Sequence, residues 1–211
     1  MNILIVTAHH DDLELGCGGT IAKLHNGENR LISLVLTNSE YRGPDKTIIR
    51  AKDAARNEGA LASQILGYEL ISFDEDTFDI PVRDRNIVKI LDVLSKYQID
   101  TVFTHWHGDT HIAHRRVHTM VLHACRHIPR VLGFAVNWYI GEQLFSPNFF
   151  VSIEDPHWNN KIQALRCYET EFRRAGKKWV EYLDNQTSNY GTQIGVKRAE
   201  GFVVYKYLWD V

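Results

Sequence analysis

Short, nearly unbroken apolar runs alternate along the chain with longer stretches in which apolar positions recur every three or four residues. Asn2 to Thr7 reads NILIVT, a β-branched run of the kind that forms a strand buried on both faces of a parallel sheet. Leu31 to Thr37, Leu70 to Phe73 and Thr101 to Thr104 repeat that signal, and Val131 to Val136, Phe149 to Ile153 and the stretch near Phe202 to Val204 add later strands. Between them the period lengthens. Helices are expected from about Thr47 to Leu66, from Val82 to Tyr97 with Ile87, Ile90, Leu91 and Leu94 near one face, and from Asn159 to Arg174. A charged loop is expected to follow the last of these. Leu15 to Thr20 carries three glycines and reads as a sharp turn before a helix beginning near Ile21, while Asn38 to Lys46 and the acidic Asp74 to Asp79 read as loops. Strands alternating with helices predict an α/β architecture, a mostly parallel sheet flanked by helices with right-handed crossovers. With 211 residues, one domain spanning 1–211 is expected.

Composition narrows the functional classes. Lys and Arg number 24 against 26 Asp and Glu, a formal charge of -2 that leaves no overall basic footprint for nucleic acid. A small-molecule substrate is expected instead. Cys17, Cys125 and Cys167 are widely spaced and odd in number, which argues against a disulfide framework and for a reducing compartment. The first strand begins at residue 2 and no apolar stretch approaches the ~20 residues needed to span a bilayer, so a cytoplasmic location is predicted. A homo-oligomer is compatible with the sequence.

The candidate chemistry lies in two clusters. His9, His10, Asp11 and Asp12 follow the first strand, where open α/β sheets bind ligands, and His111 and His114 follow the fourth at a helical spacing that puts both imidazoles on one face. Imidazole and carboxylate suit Zn²⁺ or another divalent metal, and a catalytic zinc takes three protein ligands with a fourth position open. His9, Asp12 and His114 make such a set, leaving Asp11 and His111 for the substrate side. The segment also holds His105, His107, His118, His123 and His127, most of which are expected to be solvated or core residues.

The string Ala8-His9-His10-Asp11-Asp12 to Thr20 resembles the AHPDD signature of the PIG-L/LmbE-like family of zinc-dependent N-deacetylases, and Asp109 to Arg115 resembles its second signature. Thr37-Asn38-Ser39-Glu40 is similar to the family's Thr-Asp-Gly-Glu loop, and Ala199-Glu200-Gly201-Phe202 to its closing AE-x-F strand. The resemblance implies a Rossmann-like fold and hydrolysis of an N-acyl group, typically N-acetyl, from an amino-sugar-type substrate by metal-activated water. It implies His9, Asp12 and His114 as metal ligands, Asp11 as general base, and His111 as the acid or oxyanion stabiliser, most useful as imidazolium. Arg56, Asp76 and Asp79 are weaker candidates for substrate contacts.

Two departures stand inside the signatures. His10 replaces a proline, with a looser turn or an extra proton donor as the expected consequence, and Ala113 replaces an aspartate able to orient a neighbour. Tyr41 or Tyr139 is a candidate for the oxyanion-assisting tyrosine found just before the second signature in some relatives. Hydrolysis of another amide or of a phosphoester, and a catalytically silent ligand-binding member, are the alternatives.

Overall fold

The computed structural model describes residues 1–139 and 141–209. In chain order the elements are β1 (Asn2–Thr7), α1 (Asp12–Leu24), β2 (Arg30–Thr37), the two-residue β3 (Tyr41–Arg42), β4 (Ile48–Arg50), α2 (Lys52–Leu66), β5 (Glu69–Glu75) and α3 (Asp84–Lys96). They continue as β6 (Thr101–His105), α4 (Ile112–Ala124), β7 (Arg130–Phe134), β8 (Phe149–Ser152), α5 (Asp155–Arg166), α6 (Glu169–Ile194) and β9 (Ala199–Tyr207). Seven strands form one sheet in the order β5-β2-β1-β6-β7-β9-β8. The first five pair in parallel, and β9 runs antiparallel to both β7 and β8.

Alternation along β1 shows why the predicted run is apolar on both faces. Ile3 and Ile5 join the core under α1, α5 and α6, while Leu4 and Val6 join the opposite core with α3 and α4. Because β2 lies on one side of β1 and β6 on the other, the chain reverses its winding direction between β1 and β6. The crevice at their carboxyl ends is therefore the ligand-binding position of a doubly wound sheet.

Three elements differ from the sequence expectation. The glycine stretch is not a turn: α1 begins at Asp12 and runs through it, with a break at Cys17, whose φ of -146° leaves the helical region. Gly16 is required by close packing, since a Cβ there would lie 2.2 Å from the Phe134 ring. The break is spliced by a buried ion pair. Glu200 accepts from the Gly19 and Thr20 amides at 3.0 and 2.7 Å, and Lys161 donates to the Leu15 carbonyl at 2.9 Å and to Glu200. Backbone groups orphaned by the kink thus find partners.

Second, the expected helix from Thr47 starts at Lys52, because Ile48–Arg50 pairs with Tyr41–Arg42 as a short hairpin. Third, the expected helix from Asn159 to Arg174 is divided at Cys167 and Tyr168 between α5 and α6, and the expected charged loop after Arg174 is the greater part of the 26-residue α6, which buries Gly176, Trp179, Leu183, Thr187 and Gly191 along one stripe. Its many charges lie on the solvated side and conceal that period. No helix among the described residues is long and apolar enough to cross a membrane.

Candidate metal and catalytic site

The site is built where β1 and β6 end. His9 sits just past β1, Asp12 opens α1, and His114 lies in the first turn of α4. His9 Nδ1 is 3.2 Å from His114 Nε2 and 3.4 Å from an Asp12 oxygen, and His114 Nε2 is 3.3 Å from the other Asp12 oxygen. Donor atoms bound tetrahedrally at ~2.0–2.2 Å to one zinc stand about 3.3–3.6 Å apart. The three side chains fit that ligand spacing, with a different Asp12 oxygen facing each imidazole. Two groups of three have ligand atoms within 4.8 Å of one another, His9 with His111 and His114, and Asp12 with His105 and His114, so that the expected set draws on both and His114 is common to them.

Electrostatics point the same way. Burial works against ionising Asp12, but His114, His105 and His9 together hold its carboxyl well below the usual range. Burial also works against charging His114, yet Asp12 and Asp109 outweigh it and raise its pKa to about 10. A site that retains a proton so strongly is one prepared for positive charge.

Asp11 is set apart from that cluster. Its backbone has φ 109° and ψ -25°, a region rarely adopted by residues other than glycine, of the kind concentrated at functional sites. Its carboxylate accepts from Arg50 at 3.0 Å. Burial drives the Asp11 pKa well above the ordinary carboxylate range, against the opposing pull of Arg50.

His111 caps the amino end of α4, and its Nδ1 accepts from the Ala113 amide at 3.2 Å. That bond assigns the neutral ring proton to Nε2. Burial, then His9 and His114, lower its pKa to about 4. The resting group is neutral imidazole rather than the imidazolium expected from the sequence.

Several neighbours outside the five expected residues complete the site. Asp109 Oδ2 stands 3.0 Å from His114 Nδ1, and its other oxygen accepts from the His111 amide and from Asn137, both at 2.8 Å. The carboxylate missing at Ala113 is thus supplied four residues earlier, in the carboxylate–histidine arrangement that fixes a ligand's tautomer. His105 stacks on His114 at 3.9 Å between centroids, 3.2 Å from Asp12. Glu171, Arg174 and Trp179 reach the cavity from α6, and Trp138 and Tyr139 from the segment after β7.

His10 does not open onto this cavity. Its ring bonds Ser39 at 2.8 Å and Ser72 at 2.9 Å, and burial followed by Arg50 lowers its pKa to about 3. It fastens the turn to β2 and β5 instead of loosening it, and carries no proton to donate as a cation. Arg56 is paired with Asp74 at 2.8 Å, Asp76 accepts from the Phe78 and Asp79 amides, and Asp79 lies 3.3 Å from Arg116. None of these three lines the cavity beside the histidines, whereas Tyr139 does. Tyr41 lies against Phe78 and under the Arg174 guanidinium.

A family model described as GlcNAc-PI de-N-acetylase, PIG-L, matches residues 4–125, more than half of the chain. The chain belongs to the PIG-L family. Among relatives of this PIG-L protein, the deacetylase YaiS of Escherichia coli K12 is 29% identical over 179 residues, covering 80% of this chain and 90% of that one. Diacetylchitobiose deacetylase of Thermococcus kodakarensis is 26% identical over 94% of this chain and 81% of its own length. A 4-oxalmesaconate hydratase of Pseudomonas putida is 24% identical over 99% of this chain and 88% of its own. The solved structure of the conserved protein TT1542 from Thermus thermophilus superposes with a TM-score of 0.81 at 25% identity, covering 99% of this chain and 96% of that one. The fold is that of these PIG-L neighbours.

Proposed function

We propose that this chain is a metal-dependent N-deacetylase that hydrolyses the N-acetyl or a similar N-acyl group of a small amino-sugar-type substrate. His9, Asp12 and His114 would hold Zn²⁺ or another divalent ion, which supplies Lewis acidity toward the acyl oxygen and acidifies a water molecule. Asp11 takes the proton of the attacking water, its basicity raised by burial against the pull of Arg50. The Nε2–H of His111 donates to the oxygen that becomes negatively charged, and its lone-pair-bearing Nδ1 is anchored by the α4 backbone. Once the tetrahedral centre collapses, the Asp11 proton is available to the departing amine.

The observation carrying this reading is Asp11 itself, a carboxylate beside the donor cluster but outside the three-residue set, buried and held by Arg50. A purely structural cation site has no use for it. Phosphoester hydrolysis is less well supported, because Arg174, the only lysine or arginine lining this cavity among the described residues, is paired with Glu171. The hydratase relative favours one second reading, addition of water to an activated carbon–carbon double bond, which the same water-and-base arrangement can perform.

Acetate release from a panel of N-acetylated amino sugars separates the readings. Asp11→Asn is expected to keep its metal while turnover falls about 10²–10⁴-fold. Unchanged turnover in that variant would remove Asp11 from the chemistry, and hydration of an unsaturated dicarboxylate without any amide cleavage would favour the second reading.

A further inference from the structure

The wall that α6 lends to the histidine cavity carries a carboxylate that neither the fold nor the proposed chemistry uses. Glu171 lies in the first turn of α6, beyond the residues 4–125 that the family model matches, and is 5% exposed. It lines the same cavity as His9, Asp11 and His111. Arg174 donates to its Oε2 through Nε at 3.0 Å and through a terminal nitrogen as well. Oε1 accepts no hydrogen bond among the described residues. A first-turn acid complements the helix dipole without being buried, as the exposed Glu169 of the same turn does. Burying a carboxylate with one oxygen unused is costly, so the helix alone does not account for Glu171.

The surrounding charges say which kind of group that oxygen takes. Asp11 is matched by Arg50 and Glu171 by Arg174, so neither carboxylate outside the ligand set is left to attract a cation. An anion is refused by the carboxylate itself. What remains is an uncharged donor, a hydroxyl, for which a carboxylate is a stronger acceptor than a neutral group. The cavity is about 150 Å³, below the roughly 300–1,000 Å³ of whole small-molecule sites, so it encloses only the atoms next to the bond that reacts. Arg56 and Asp76 do not line it, which leaves the contact to α6. We infer that Glu171 is a specificity-determining residue whose Oε1 accepts from the substrate hydroxyl on the carbon next to the acylamino carbon, while Arg174 holds the carboxylate in place through Oε2. The place of that hydroxyl rests on the deacetylase reading, whereas the acceptor is also tested apart from it.

N-acetylglucosamine and its 3-deoxy analogue decide it, because a site built to bond a hydroxyl penalises the analogue that lacks one. In the unaltered protein kcat/KM for the parent sugar is expected to exceed that for the deoxy sugar about tenfold or more, and the ratio to fall toward unity in Glu171→Ala and part of the way in Glu171→Gln. The ratio is taken within each variant, so a smaller folded fraction cancels. Equal kcat/KM for both sugars in the unaltered protein, or a ratio insensitive to both substitutions, overturns the assignment. Should neither sugar be hydrolysed, the deacetylase reading fails, and the fluorescence of Trp138 and Trp179, which line the cavity, then tests the acceptor by binding alone. Saturable quenching by N-acetylglucosamine that weakens both with the deoxy sugar and in Glu171→Ala supports it; no quenching, or quenching insensitive to either change, overturns it.

Discussion

Asp109 shows how one residue can compensate for another. With alanine at position 113, no carboxylate stands next to His114 in sequence, and Asp109 reaches its Nδ1 from the loop after β6. Asp109→Asn should therefore leave the fold intact and weaken zinc affinity about 10–100-fold, measured by competition with a chromophoric chelator; unchanged affinity would reduce Asp109 to a loop anchor. His9, Asp11, Asp12, His111 and His114 were legible as a group because chemistry-bearing types lie close together at two strand ends. The roles of Asp109, His105 and Arg50 were not, since His105 and Arg50 meet partners dozens of residues away and Asp109 reaches His114 only through the bend of the loop after β6. Arg50 illustrates the difficulty: read as an early helical residue, it ends β4 and points its buried guanidinium at Asp11 and Glu58. His10 was legible as a departure, and its consequence was not, because its partners Ser39 and Ser72 come from the loop after β2 and from within β5.

Among the elements, α1 carries the site and is also the most irregular. Its first turn presents Asp12, and its kink at Cys17 depends on Lys161 from α5 and Glu200 from β9, which are 1% and 3% exposed. Removing one member of so buried a pair leaves an uncompensated charge, costing about 3–5 kcal/mol. Glu200→Ala is accordingly expected to lower the unfolding free energy by about that amount in urea melts, whereas the apolar pair Lys161→Met with Glu200→Leu should cost distinctly less. Equal losses would mean that the backbone contacts, not the buried charge, dominate. The sequence resemblance of Ala199 to Phe202 to a closing family strand thus acquires a physical meaning as a helix splice. The long α6 was missed for the opposite reason: its buried stripe includes glycines and a threonine, and its apolar period is diluted by charged residues on the outer face. Because α6 contributes Glu171, Arg174 and Trp179 to the cavity beside the histidines, that wall was hidden with it.

At the scale of the whole molecule, the alternation of apolar runs and helical periods was enough to predict an α/β fold with a mostly parallel sheet, because a strand buried on both faces has few other ways to appear in sequence. The antiparallel placement of β9 between β7 and β8 was not readable, since strand order in space leaves no local mark. That arrangement nevertheless brings Glu200 to the Gly19 and Thr20 amides of α1. The reversal of winding between β1 and β6 joins two sequence clusters a hundred residues apart into one cleft, and the deacetylase reading stands on that junction. The most direct test is acetate release from an N-acetylated amino sugar by protein of known metal content, before chelation, after it, and after zinc is restored. Activity is expected to track the metal, lost on removal and regained on return; full activity in metal-free protein would contradict the account.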